Sequence, residues 1–212
     1  MKDLLRKPLY RMIAIFVASY AAILILGNVA GLQEGYRSAM ENVSNKVFRE
    51  FWSKGYVFFE ADTDPTGNEM DTSMRLINRE ALLEAQRTNT NVYSIKIFCS
   101  MRNWGFLSTA FFLALVFAAP VPLRRKAIAG AIGFLMVQLF VLFRIWVDLE
   151  FTMQQNPKLG IVDYEGFWGK VIVTMDAFFA KNIVIAFVIP LLIWIFVMFK
   201  KEDRKLLGNL TK

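Results

Sequence analysis

FLSTAFFLALVFAAPVPL-RRK-AIAGAIGFLMVQLFVLFRIWVDL, residues 106–149, decides the fold. Phe106 to Leu123 carries no charge, and Arg124, Arg125 and Lys126 follow at once. Ala127 to Leu149 then runs on with only Arg144 and Asp148 charged. Apolar stretches of roughly 20 residues, rising ~1.5 Å each as helix, match the hydrocarbon thickness of a bilayer. The stretch therefore predicts a helical hairpin that crosses a membrane twice, with a basic turn at 124–126.

Two further blocks lie outside the hairpin. Met12 to Leu32 is free of charge, and so is Ile183 to Phe199, which Lys200 and Lys201 terminate. Lys2, Arg6, Lys7 and Arg11 before the first block resemble a signal-peptide start. The block outruns a signal's roughly 7–15 apolar residues, however, and no Ala-x-Ala site follows, so it reads as an uncleaved anchor. The expected class is mainly α and integral to the membrane: four transmembrane helices, a small α+β extracytoplasmic cap and an interfacial amphipathic helix. The segments are 1–11, a basic cytoplasmic N-terminus; 12–32, the first span; 33–105, the cap; 106–123, the second span; 124–126, the turn; 127–149, the third span; 150–182, an outer segment with the amphipathic helix; 183–199, the fourth span; and 200–212, a cytoplasmic tail.

The 212 residues are 56% hydrophobic, with 20 Phe and a net charge of +7. The positive charge is spread over the block ends rather than gathered on one domain, which argues against nucleic acid. Lys2, Arg6, Lys7, Arg11, Arg124, Arg125, Lys126, Lys200, Lys201, Arg204, Lys205 and Lys212 fall on one side of the proposed bilayer, opposed there only by Asp3, Glu202 and Asp203. The segments 33–105 and 150–182 are close to neutral. Basic loops stay inside, so both termini are expected in the cytoplasm. With one cysteine, Cys99, and no histidine, an intrachain disulfide and the usual Cys/His zinc sites are excluded.

Within the cap, Tyr36, Met40, Val43, Val47, Phe48, Phe51 and Trp52 recur at helical spacing, which extends the first span outward as an amphipathic helix. Tyr56–Phe59 and Val92–Phe98 read as strands, and Arg79–Arg87 as a short helix. So small a cap needs the spans or a partner to complete its core. In the second outer segment Tyr164, Phe167, Trp168, Val171, Ile172, Met175, Phe178 and Phe179 form an aromatic face suited to the bilayer interface, with Phe167, Trp168, Ile172, Met175 and Phe179 its contact residues.

The candidate intramembrane polar site is Gln138, Arg144 and Asp148. Arg144 and Asp148 stand one helical turn apart and can pair, and Arg144 near the outer end can instead reach the headgroups. Gln138 lies at mid-span and can bond a neighbouring helix. Small residues four apart mark packing faces: Ala14, Ala18 and Ala22; Ala110, Ala114 and Ala118; Ala127 and Ala131; Ala129 and Gly133. Pro190 removes a backbone bond inside the fourth span. Asp62, Asp64, Thr66, Gly67 and Asp71 partly fit a calcium loop, but Ser73 replaces its bidentate Glu and Pro65 stiffens it, so a solvated turn is the better reading. Cys99 has no histidine to activate it. No metal and no cofactor is expected.

The stretch Ser94-Ile95-Lys96-Ile97-Phe98-Cys99-Ser100-Met101-Arg102-Asn103-Trp104-Gly105 runs straight into the hairpin, with Pro120-Val121-Pro122-Leu123-Arg124-Arg125 at its turn and Arg144-Ile145-Trp146-Val147-Asp148-Leu149 at its end. This layout resembles the small multi-span proteins encoded beside bacterial exosortases. The resemblance implies an accessory role, with the lipid bilayer and a larger membrane protein as partners and with no catalytic residues. Exosortases themselves resemble a Cys-Arg-His transpeptidase, which a chain without histidine does not match. The expected function is a non-enzymatic accessory subunit of an exosortase-type envelope system. The alternatives are an oligomeric transporter or channel component, and a membrane enzyme acting on a lipid-linked substrate.

Overall fold

The computed structural model describes residues 8–62, 70–164 and 166–198. The chain is mainly helical. Its elements are α1 (Pro8–Val29), α2 (Leu32–Phe48), β1 (Gly55–Ala61), β2 (Thr72–Asn78), α3 (Arg79–Thr88), β3 (Ser94–Cys99), α4 (Leu107–Ala118), α5 (Leu123–Gln155), α6 (Phe167–Met175) and α7 (Ile185–Met198). Two π-turns, Arg102–Phe106 and Asp176–Ala180, precede α4 and follow α6. The chain divides into a helical unit (1–32, 105–140 and 184–212) and a sheet unit (33–104 and 141–183).

Two helices, Leu9–Val29 and Leu123–Gln155, are long and apolar enough to cross a membrane. Phe167–Ala180 and Ile185–Met198 meet that requirement only when taken together as one broken span. The second expected span shortens to an apolar helix at Arg102–Ala118, because Pro120 and Pro122 cannot continue α4. The helix that carries the expected third span, 127–149, is longer than that segment: α5 runs from Leu123 to Gln155 and, at ~1.5 Å per residue, is about 50 Å long.

In the helical unit Phe16 and Tyr20 of α1 pack edge-on against Phe111 of α4, at 5.4 and 5.9 Å, and Phe111 meets Phe187 of α7 at 5.3 Å. Phe112, Val137, Ile193 and Trp194 centre the core. A Cβ on Gly133 would run into the Phe112 ring, so this glycine is what lets α5 close on α4. Ala110, Ala114, Ala118 and Ala129 are buried beside it, and these small-residue faces do pack. Ala127 and Ala131 are exposed, and so are Ala14, Ala18 and Ala22. α7 runs through Pro190 as one helix. Arg125 donates to the carbonyl of Met198 and so caps the end of α7.

The sheet unit holds one antiparallel sheet in the order β1-β2-β3. Phe59 pairs with Met74 and Val57 with Leu76, and Ile97 and Ile95 flank them on β3. This face is buried under Met40 and Phe48 of α2 and under Val141, Ile145, Leu149 and Met153 of α5. Those four α5 residues are spaced by four and form one helical stripe, so the far half of α5 supplies the core that the cap lacks by itself. The first span and the amphipathic helix expected to continue it are two separate helices. Gly31, at φ +67°, breaks the chain between α1 and α2. On α2 the buried stripe is Met40, Ser44 and Phe48, while Val43 and Val47 are exposed.

Candidate functional site: a buried charged cluster in the sheet unit

Arg144 is 1% exposed. Its guanidinium donates to the carbonyls of Ala180 at 2.9 Å and Trp104 at 3.5 Å, and lies 5.4 Å from the Trp104 ring centre. Both carbonyls belong to π-turns. An extra residue in a helical turn breaks the i→i+4 ladder and leaves a carbonyl in need of a donor, and Arg144 fills that need twice. The long side chain therefore turns inward and does not reach for headgroups.

The π-turn at 176–180 also sets the next contact. The Lys181 amide bonds the Asp176 carbonyl five residues back, at 3.0 Å, which stacks the two side chains. Lys181 Nζ lies 2.6 Å from Asp176 Oδ2 and 4.0 Å from the Phe151 ring centre. Asp176 is buried, and Asp148 lies in the combined field of Asp176, Lys181 and Arg144. Two cations thus face two carboxylates.

A second buried acid, Glu150, stands on the same helix. Its Oε1 accepts from the indoles of Trp52 at 3.0 Å and Trp146 at 3.1 Å. The Tyr164 hydroxyl also bonds to Glu150, and burial first, with that bond second, pushes the Tyr164 phenol up to about 12. One carboxylate thus ties the end of α2, the shaft of α5 and the approach to α6. Beside it a cavity of about 490 Å³ is lined by Gln154, Tyr164, Gly166, Gly169, Lys170, Val173 and Thr174. A Cβ on Gly169 would stand 2.6 Å from the Gln154 amide nitrogen and 2.9 Å from the Tyr164 carbonyl, so only glycine lets α6 sit here.

The structure brings Arg144 and Asp148 together and places Gln138 elsewhere. Gln138 donates to Thr109 Oγ1 at 3.0 Å within the helical unit and joins α5 to α4. The expected contact face of the amphipathic helix splits. Phe167 and Trp168 are 72% and 64% exposed and Phe178 is exposed, whereas Ile172 is buried and Met175 and Phe179 are half-buried. The sequence reading missed Asp176, Lys181 and Glu150.

Of the calcium-loop residues, Asp64, Thr66 and Gly67 lie outside the described residues. Asp62 pairs with Lys96 at 3.4 Å, and Asp71 accepts from the amides of Met101 and Arg102 at 2.7 and 2.9 Å. No group of three or more His, Cys, Asp or Glu that could hold a metal occurs among the described residues. Burial, with the Asp148, Asp71 and Glu41 carboxylates adding to it, pushes the Cys99 thiol well up, the opposite of an activated nucleophile. Comparison with known proteins returns no match: no family model, no curated protein and no solved structure aligns with the chain.

Proposed function

We propose that the chain is a non-enzymatic accessory subunit of an exosortase-type bacterial envelope system, seated in the inner membrane and bound to a larger membrane protein. In this reading α1, α4, α5 and α7 are the four spans, with both termini in the cytoplasm, and α6 lies in the outer interface. The helices shorter than the bilayer are accommodated by local thinning and by their flanking residues. The exposed aromatic side of α6, with Phe167, Trp168 and Phe178, supports the interfacial placement.

One observation carries the accessory role. Among the small-residue faces, those of α4 and of Ala129 and Gly133 on α5 are used inside the chain, while Ala14, Ala18 and Ala22 on α1 are left open. Only 6% of the apolar window of α1 is buried. Small residues four apart allow a second helix to approach closely in lipid, so α1 suits a partner's helix. The polar groups are meanwhile committed internally: Arg144 to two carbonyls, Glu150 to two indoles and Gln138 to Thr109. The bond from Gln138 to Thr109 favours helix joining over a pore lining.

The test is purification of the tagged chain from its native membrane in mild detergent. A larger membrane protein of the envelope machinery should copurify in stoichiometric amount, and the Ala14→Leu, Ala18→Leu pair should lose it. Recovery of the chain alone or as a homo-oligomer, or retention of the partner by the double variant, would overturn the proposal.

A further inference from the structure

At the other end of α5, a cavity of about 440 Å³ opens in the helical unit, lined by Pro122, Arg124, Arg125, Ile128, Ile132 and Val197 together with Ala129. Its lining combines two arginines, adjacent at the start of α5, with apolar residues, and no carboxylate is among the described lining residues. Arg124 is exposed, while Arg125 is half-buried and held in place by its bond to the Met198 carbonyl. Lys126 is drawn away, its ammonium donating to the Phe117 carbonyl at 2.7 Å. From the cavity an exposed apolar stripe continues along α5 through Ile128, Ile132, Leu135 and Leu139, at 55%, 50%, 62% and 65% exposure. These four positions recur at intervals of four, three and four and therefore share one helical face.

We propose that this cavity is a binding site for one anionic phospholipid. Its phosphodiester sits on Arg124 and Arg125, and one acyl chain lies along Ile128, Ile132, Leu135 and Leu139. Guanidinium forks match phosphate oxygens in geometry as well as charge. A basic pocket between helices at the cytoplasmic face is where anionic headgroups are recognised. The apolar stripe leads directly from the charged end, which suits a lipid and gives free phosphate nothing to hold. The site shares no residue with the buried charged cluster or with the small-residue face of α1. It rests on the membrane reading above, because it requires residues 122–126 to lie at headgroup depth.

The experiment is native mass spectrometry of the purified full chain in detergent, titrated separately with phosphatidylglycerol and phosphatidylcholine. The two arginines should favour phosphatidylglycerol by about thirtyfold, and Arg124→Gln should cut that preference about fivefold. Arg124→Lys should retain most of it. Because Arg124 is exposed, its variants keep the fold. Equal binding of both lipids, a preference unchanged in Arg124→Gln, or displacement of the lipid by inorganic phosphate would each overturn the site. Reconstitution of the same preparation into phosphatidylcholine vesicles, followed by carbonate extraction, separates the two ideas. A chain that stays in the vesicles without lipid preference sinks this site alone, and a chain that is extracted sinks the membrane reading.

Discussion

Replacing Glu150 with leucine should destabilise the sheet unit. The carboxylate is 3% exposed, and the Trp52 and Trp146 indoles both donate to its Oε1. Leucine removes the acceptor and leaves the two N–H groups stranded, one of them on the buried Trp52. A stranded buried donor costs about 1–3 kcal/mol, so the pair costs roughly 2–6 kcal/mol. Opposing this, leucine no longer has to desolvate a charge. The two effects separate in the triple variant Glu150→Leu, Trp52→Phe, Trp146→Phe, in which the donors are gone too. Removing all partners of a buried hydrogen bond is close to neutral apart from lost packing, so the triple should recover part of what the single loses. Glu150→Gln keeps an acceptor oxygen and loses only the charge assistance, about 1 kcal/mol per bond. Thermal unfolding of the detergent-solubilised chain, followed by indole fluorescence, reads the order directly. Wild type should melt highest, then Gln, then Leu, with the Leu variant lower by roughly 5–15 °C. A Leu variant that melts with wild type would refute the reasoning, as would a triple variant that falls below the single.

Gly133→Ala drives a methyl into the Phe112 ring; overpacking of this kind costs about 1–3 kcal/mol, and the same melting assay should show Gly133→Ala costing less in a Phe112→Ala background than in wild type. Cys99 is 1% exposed and its thiol is pushed well up by burial, so maleimide at pH 8 should label it only after denaturation, and labelling of the folded chain would contradict the packing of β3. The Tyr164 phenol is raised from 10.0 to about 12, so the unfolded chain loses this proton first as pH rises. Its contribution to stability is therefore complete below about pH 10, declines from there and is gone above about 12; the difference in stability between wild type and Tyr164→Phe should change across that window and stay flat below it.

The two apolar halves of the hairpin were legible from the charges between them, but the expected turn at 124–126 was misplaced: the chain turns at 119–122, where Pro120 and Pro122 stop α4, and Arg124, Arg125 and Lys126 lie in the first turn of α5. β1, β3 and α3 were legible for local reasons. Asn78, for example, caps α3 by accepting from the amides of Glu80 and Ala81 at 2.9 and 3.1 Å. β2 was missed. It is the central strand, and besides the buried Thr72, Met74 and Leu76 its other face also buries Ser73 and Ile77, leaving only Arg75 exposed, so Thr72-Ser73-Met74-Arg75-Leu76-Ile77 shows no clean alternation. The reach of α5 was also missed, since Val141, Ile145, Leu149 and Met153 look the same whether they face lipid or a protein core. Asp176 and Lys181 escaped for a geometric reason. A spacing of five does not bring side chains together on an α-helix, but it does on a π-turn, and nothing in Asp176–Ala180 announces one. Glu150 was read as the first residue outside the membrane, and its three aromatic partners lie 98, 4 and 14 residues away in sequence.

The central proposal is a multi-pass chain whose sheet unit lies outside and whose basic first turn of α5 lies inside, and cysteine accessibility tests it most directly. In a Cys99→Ser background, single cysteines replace the exposed Glu84 of α3 and the exposed Arg124 at the start of α5, and spheroplasts are treated with a membrane-impermeant maleimide before or after lysis. Glu84→Cys should label in intact spheroplasts and Arg124→Cys only after lysis. Labelling of Arg124→Cys from outside, or protection of Glu84→Cys until lysis, would contradict the claim.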